Sequence, residues 1–197
     1  RKLPQARQSV LGYQWREVED NFRGVELKGK NLGIIGFGRI GSNVAKYASA
    51  MGMNIYAYDV SANVDPTYNS CETHEDVLKI ADIVLLAVHL DETTENMVDK
   101  TWFNKMKKNS YFINISRGEI INEDDLINAL EAGHLNSAGL DVIRNELSNE
   151  IKNSKVIDYA KNNDNLVITP RMAGLTYDSE GKAAHFSIKN ILEFFIS

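Results

Sequence analysis

Short apolar runs alternate along this chain with longer stretches whose apolar positions recur every three or four residues. Residues 30–35, 54–58, 81–88, 111–115, 137–142 and 166–169 read as strands. Residues 81–88 are apolar everywhere but Asp82, the pattern of a strand covered on both faces of a parallel sheet. Ile40, Val44, Ala45, Tyr47 and Ala48 mark an apolar helix face, with Ser42, Asn43 and Lys46 among them. Thr73, Glu75 and Asp76 ahead of Val77 and Leu78 start a second helix, and Asn122 caps a third over residues 123–132, which Gly133 stops. Between residues 142 and 166 the chain is polar and rich in asparagine, a loop with one short helix near residues 155–161. A long periodic helix closes the chain through Ala183, Ala184, Phe186, Ile188, Ile191, Leu192 and Phe195. Strands separated by helices predict an α/β fold, a doubly wound parallel sheet joined by right-handed crossovers. Its ligand crevice should lie beyond the carboxyl ends of the strands.

The first strand runs into Gly36-Phe37-Gly38-Arg39-Ile40-Gly41 and then a helix. Gly36 permits a tight turn, Gly38 lets the backbone approach a pyrophosphate, and Gly41 lets the helix pack against the strand. The helix N-terminus offers free N–H groups and a positive dipole end to phosphate. A lone glycine pattern of this kind is weak, but here strand, turn, helix and second strand follow in order. The second strand ends in Asp59, 18 residues after Gly41. A carboxylate there can accept both hydroxyls of an adenosine ribose and repel a 2′-phosphate, which favours NAD over NADP. The plainer reading of Asp59 is a surface acid that ends a strand.

Composition narrows this further. With 197 residues, 43% of them hydrophobic, one sizeable core and one domain over residues 1–197 are expected. A net charge of −5 argues against nucleic acid or an anionic membrane as partner, and Lys105, Lys107 and Lys108 read as a solvated helix end. No apolar run approaches the ~18 residues of a membrane span. Cys71 is the single cysteine, which excludes an internal disulfide and a thiolate zinc cluster and fits a reducing, cytoplasmic setting. The chain starts at Arg1 without methionine and reads as part of something longer.

Beyond the glycine loop, further segments carry a resemblance. They are Leu27-Lys28-Gly29-Lys30; Val88-His89-Leu90 with Thr94 and Asn96-Met97-Val98; residues 113–121 around Ser116-Arg117-Gly118; Gly139-Leu140-Asp141-Val142 with Glu146; and residues 165–171, which depart from the pattern at the last position. Together they span nearly the whole chain. It resembles the nucleotide-binding domain of the D-isomer-specific 2-hydroxyacid dehydrogenases, the group that includes phosphoglycerate dehydrogenases.

The resemblance implies hydride transfer between NAD and a small 2-keto or 2-hydroxy acid, a homodimer, and connecting segments at residues 1–26 and 176–197 that lead to a substrate domain. It implies that Arg117 grips the substrate carboxylate and carbonyl, a task suited to a guanidinium fork. Glu146 stands at the position of the glutamate that pairs with the catalytic histidine, although Leu147 replaces the usual proline. The cofactor is expected against Gly36, Gly38, Arg39, Ile40, Gly41, Asp59, Val88, His89, Thr94, Ile115, Ser116, Arg117, Asp141, Arg171 and Gly174. For Asp141 the alternative is that it simply finishes its strand.

The family's histidine should follow Thr169-Pro170, where this chain has Arg171. Histidine can donate and reclaim a proton near neutral pH, whereas an arginine keeps its proton. Arg171 is expected to face Glu146 as a bidentate ion pair. His89, His74, His134 and His185 offer no evident substitute, and no Ser/His/Asp triad or metal-ligand cluster stands out. Two other readings follow: a non-catalytic NAD-binding sensor or scaffold, which Arg171 favours, and a different Rossmann enzyme such as an NAD-dependent hydrolase, which the Ser-Arg-Gly turn disfavours.

Overall fold

The computed structural model describes residues 2–15 and 19–196. Seven strands form: β1 (Asn31–Ile35), β2 (Asn54–Tyr58), β3 (Asn69–Ser70), β4 (Ile83–Leu86), β5 (Ser110–Asn114), β6 (Leu135–Leu140) and β7 (Leu166–Ile168). All pair in parallel, in the order β3-β2-β1-β4-β5-β6-β7. The order reverses between β1 and β4, so the chain leaves the sheet centre in opposite directions and a crevice opens there. The doubly wound Rossmann architecture expected from the alternating pattern is the one observed.

The helices are α1 (Leu3–Leu11), α2 (Arg39–Ala50), α3 (His74–Ile80), α4 (Lys100–Lys105), α5 (Glu123–Glu131), α6 (Lys155–Asn162) and α7 (Tyr177–Ile196). Side-chain oxygens cap four of them, each taking up N–H groups the first turn leaves free: Thr73 on α3, Asp99 on α4, Asn122 on α5 and Ser154 on α6. Two apolar cores flank the sheet. The larger gathers Val77, Leu78, Trp102, Phe103, Leu126, Leu130 and Val156 from α3 to α6. The smaller holds Ala45 and Ala48 of α2 against Ile34, Ile55 and Leu85.

Several expectations need adjustment. The run 81–88 contributes only four strand residues, since Ala87 and Val88 already turn into the crevice loop. β6 begins two residues earlier than expected, at Leu135, because the chain enters the sheet directly after Gly133 and His134. Of α4 only the end, at Lys105, was expected, and β3 was not; six and two residues are too few to show a period. Lys105 and Lys107 are not merely solvated. They pair with Glu75 at 2.7 Å and with Asp82 at 2.9 Å.

α7 has the periodicity of a packed helix, yet Phe186, Ile188, Ile191 and Phe195 are exposed. α1 is found within the expected N-terminal connecting segment; Arg1 and residues 16–18 of that segment, and Ser197 of the C-terminal one, lie outside the described residues. Among the described residues no helix is long and apolar enough to cross a membrane.

Candidate functional site

The glycine loop leaves β1 with Gly36 in left-handed backbone, φ 95°, its N–H bonded to Tyr58 O at 2.9 Å. A Cβ on Gly36 would collide with the backbone of Ala87, and one on Gly41 with the carbonyl oxygen of Gly36. Both glycines are therefore demanded by the chain itself. Gly38 differs, because a Cβ there would meet nothing. No side chain caps α2, so the N–H groups of its first turn face outward beside exposed Gly38, Arg39 and Ile40. Space above Gly38 and an uncapped helix dipole fit a pyrophosphate.

Asp59 stands at the end of β2. One carboxylate oxygen accepts the Phe37 N–H at 2.6 Å, and the other accepts the N–H groups of Ser61 at 2.8 Å and Ala62 at 2.7 Å. Burial pushes its carboxyl up, but the Ala62, Ser61 and Phe37 N–H groups outweigh that and hold it below the ordinary aspartate value. It stays ionised while it ties the glycine loop to the strand beside it.

Across the crevice, β5 runs into the Ser-Arg-Gly turn. Asn114, fully buried, shapes it: its amide donates to Arg117 O and its carbonyl oxygen accepts from Ser116 N, both at 2.9 Å. Ser116 is 5% exposed and its Oγ has no hydrogen-bond partner, an orphan a ligand could satisfy. Arg117 is exposed and donates to Ser116 O at 2.7 Å. Among the described residues it has no ion-pair partner, which leaves its charge for an anion. A Cβ on Gly118 would strike the backbone of Ile143 and Arg144, so this glycine lets the exits of β5 and β6 touch.

The exit of β4 brings Val88 and His89, with Thr94 Oγ1 donating to His89 O at 2.7 Å. Ile115 is half-buried against the smaller core. At the exits of β6 and β7, Arg171 meets Glu146 as expected, through a single contact of 2.5 Å between Nη1 and Oε1 rather than a bidentate fork. The other Glu146 oxygen accepts the Ile143 N–H at 3.2 Å. Arg171 adopts left-handed backbone, φ 53°, with its N–H bonded to Asp141 O and Thr169 O at 2.9 Å each. A cavity of about 540 Å³ opens beside this pair, over Ile143, Ile157 and Ile168.

Asp141 has a clear structural task. Its carboxylate accepts Thr169 Oγ1 at 2.5 Å and the N–H groups of Met172 and Ala173 at 3.0 Å each. Burial raises its carboxyl, but the Thr169 hydroxyl, the Ala173 and Met172 N–H groups and the Arg171 guanidinium together bring it below the ordinary aspartate value. The turn that carries Arg171 is thus folded around Asp141. Gly174, just beyond, is exposed.

The other histidines are occupied or distant. His74 stacks on Trp102 at 5.1 Å, His134 bonds to Met106 O at 3.1 Å, and His185 is exposed on α7. Cys71 is a half-buried free thiol, pushed up by burial and by Asp76, which disfavours the reactive thiolate. Among the described residues no cluster of His, Cys, Asp and Glu could hold a metal. Reading the sequence missed Asn114, Gly118 and Arg144; Asn114 and Gly118 lie inside the quoted motif, whereas Arg144 carries no local signal.

Comparison with known proteins agrees with this geometry. Residues 1–173 match the family model of the D-isomer specific 2-hydroxyacid dehydrogenase, NAD binding domain. A hydroxypyruvate reductase of Blautia hydrogenotrophica is 37% identical over 172 residues, covering 86% of this chain and 52% of that protein. A D-3-phosphoglycerate dehydrogenase of Bacillus subtilis is 34% identical over 98% of this chain and 36% of its own length. The chain thus spans about half, or less, of these relatives. The solved NAD complex of a D-isomer specific 2-hydroxyacid dehydrogenase from Lactobacillus delbrueckii superposes with a TM-score of 0.83 at 33% identity, over 98% of this chain and 63% of that one. An acyclic imino acid reductase solved with NADPH and D-Arg gives 0.85 at 26% identity, over 100% of this chain and 60% of the other. The family model matched over residues 1–173, on a doubly wound fold with a glycine turn opening α2, places this chain in the D-isomer-specific 2-hydroxyacid dehydrogenase family, as an NAD-binding domain.

Proposed function

We propose that this chain serves the reduction of a small 2-keto acid by NADH, with Arg117 as the group that grips the substrate carboxylate. The observation that carries this reading is the position of Arg117. It stands at the exit of β5 with no carboxylate on it among the described residues, while the exits of β6 and β7 supply the Glu146–Arg171 pair. When bound, the cofactor supplies a hydride at nicotinamide C4 for the substrate's C2. Gly36, Gly38, Arg39, Ile40 and Gly41 would seat the pyrophosphate, and Asp59 the adenosine ribose, where its charge favours NAD(H) over NADP(H). Val88, His89, Thr94, Ile115, Ser116, Asp141 and Gly174 would border the nicotinamide side. Residues 1–26 and 176–197 would connect to a substrate domain, which the exposed apolar face of α7 supports. The resemblance adds a homodimer to this reading, and one free cysteine fits the cytoplasm.

Arg171 sets the rate in this reading. Its guanidinium can polarise a carbonyl and hold Glu146 in place, but it cannot take up and return a proton near neutral pH. A specific observation, the Arg171–Glu146 ion pair, favours a second reading: an NAD-binding sensor or scaffold that no longer turns over. The kcat of full-length protein with NADH and a panel of 2-keto acids, from pH 5 to 9, separates the two. General acid–base groups contribute about 10²–10⁴-fold, so slow wild-type turnover and a rise of that order in Arg171→His are expected. Fast wild-type turnover that Arg171→His slows would make Arg171 a working catalytic residue and remove the second reading.

A further inference from the structure

The loops that leave β4, β5 and β6 meet on one side chain. Arg144 follows β6 and is half-buried. Its Nε donates to Ile121 O at 3.0 Å, and one terminal nitrogen donates to Glu119 O at 2.7 Å and to the side-chain oxygen of Asn96. Its backbone N–H donates to Glu123 Oε1 at 2.8 Å. Glu119 O also accepts the Asn96 N–H at 3.0 Å, and Asn96 is held in left-handed backbone, φ 53°. One guanidinium thus spans the loop that carries His89 and Thr94, the segment after Ser116 and Arg117, and the loop that leads to Glu146. A planar fork of five donors can reach three acceptors at once; a lysine ammonium on its flexible stem fits that arrangement poorly.

In a sheet whose order reverses between β1 and β4, the two nucleoside halves of a dinucleotide fall on opposite sides of the switch point. Asp59 marks the adenosine side, and the exits of β4 to β6 mark the nicotinamide side. The Arg144 contacts all lie on the latter. We propose that Arg144 is the positioning residue of the nicotinamide side, a staple that fixes three strand-exit loops before the cofactor arrives, while the adenosine side stands without it. Fixing loops in advance lowers the ordering cost of binding, so the benefit appears only for a ligand that reaches them. This rests on the seating of nicotinamide over β4 to β6 described above.

The test titrates the chain with NADH and with ADP-ribose, which lacks the nicotinamide, and follows the NADH fluorescence change on binding. Arg144→Gln strands the carbonyl of Ile121 and leaves that of Glu119 with the Asn96 N–H alone. A charge-assisted hydrogen bond amounts to roughly one tenfold step in affinity, so NADH binding should weaken about tenfold and its fluorescence change shrink. ADP-ribose binding should move less than about twofold, and Arg144→Lys should recover part of the loss. Asn96→Gly, which deletes one arm, keeps the left-handed backbone without strain and leaves both carbonyl bonds, should shift NADH alone by a smaller factor; it carries the test if circular dichroism shows Arg144→Gln unfolded. A preference for NADH over ADP-ribose that survives these substitutions, or an equal loss of both ligands, overturns the staple. Equal affinity for both ligands in the unaltered chain overturns the seating of the nicotinamide, and the staple with it.

Discussion

Around β1 and β2 the crevice wall is made of backbone, whereas beyond β4 it is made of side chains. On the first side Gly36 and Gly41 admit contacts that no Cβ would allow, and one carboxylate, Asp59, ties the loop to the neighbouring strand. On the second side Asn114 folds the Ser-Arg-Gly turn, Asp141 folds the turn that carries Arg171, and Arg144 joins three loops. The first arrangement has few variables: pyrophosphate is the same in every dinucleotide, and close backbone serves it. The second, in the function proposed here, would place separate charged groups around a reacting centre, and side chains can be exchanged without rebuilding the sheet. Under the proposed function, Arg171 where the resemblance implies histidine would be one such exchange.

Glycine substitutions should break the two halves separately and give the largest effects. Gly41→Ala forces its methyl into the carbonyl of Gly36, and Gly118→Ala into the backbone of Ile143 and Arg144. Neither neighbour is a flexible side chain, so each should cost about 3 kcal/mol, at or above the usual range for overpacking. In a chain of this length that is a fall in Tm of roughly 6–12 °C, read by circular dichroism. The ligand pattern should differ. Gly41→Ala should abolish binding of both NADH and ADP-ribose, while Gly118→Ala, assayed below its Tm, should retain ADP-ribose and lose the advantage of NADH. A Gly118→Ala chain that binds NADH normally would mean that contact between the β5 and β6 exits does not shape the nicotinamide side.

The two sealing aspartates sharpen the contrast at intermediate size. Asp59 and Asp141 are both held below the ordinary aspartate value against the opposing pull of burial. A carboxyl depressed in the folded chain adds stability that is present above the unfolded value, near ~3.9, and is lost as pH falls through the depressed one. Acid unfolding should therefore show a loss below about pH 4 that Asp59→Asn and Asp141→Asn each reduce. At pH 7 Asp59→Asn should weaken NADH and ADP-ribose alike, by about tenfold if one charge-assisted bond is lost. Asp141→Asn should weaken only NADH. An equal loss of both ligands on Asp141→Asn would show that its turn supports the whole crevice rather than one side.

The same contrast explains what the sequence disclosed. The adenosine side is local: Gly36 to Asp59 is one strand, one helix and one strand, and each step has a period or a spacing to read. Beyond β4 the motifs stand in the sequence, but the bonds that join them are not local. Arg144 reaches Asn96 across 48 positions, and Asp141 reaches Ala173 across 32, with no spacing to announce either. The Arg171–Glu146 contact was expected from a single substituted position and is present, with one hydrogen bond where two were expected. The extent of α4 stayed hidden because six residues hold less than two helical turns, too few to show a period. For α7 the pattern gave the helix and not its surroundings, since periodicity shows which face is apolar and not what covers it.

The smallest expected effect comes from Glu123, and it separates the stapled loop's geometry from its charge. Glu123 accepts the backbone N–H of Arg144 and lies partly buried. Burial raises its carboxyl above the ordinary glutamate value, and the Arg144 N–H and charge only partly oppose this. A carboxyl raised in the folded chain holds its proton more tightly there than when unfolded. Its contribution is therefore most favourable below the unfolded value and is lost as pH rises through the raised one, so at neutral pH it costs stability. Glu123→Gln keeps an oxygen for the Arg144 N–H and removes the charge. It should raise Tm at pH 7 by about 1 °C, the size of a mild gain at a partly exposed site, and leave Tm at pH 4 nearly unchanged. NADH affinity should not move, because the guanidinium keeps its bonds to Glu119, Ile121 and Asn96. A Tm that falls at pH 7 would mean that the Glu123 charge stabilises Arg144 more than its burial costs. An NADH loss without a Tm change would instead make the carboxylate itself part of what holds the three loops in register.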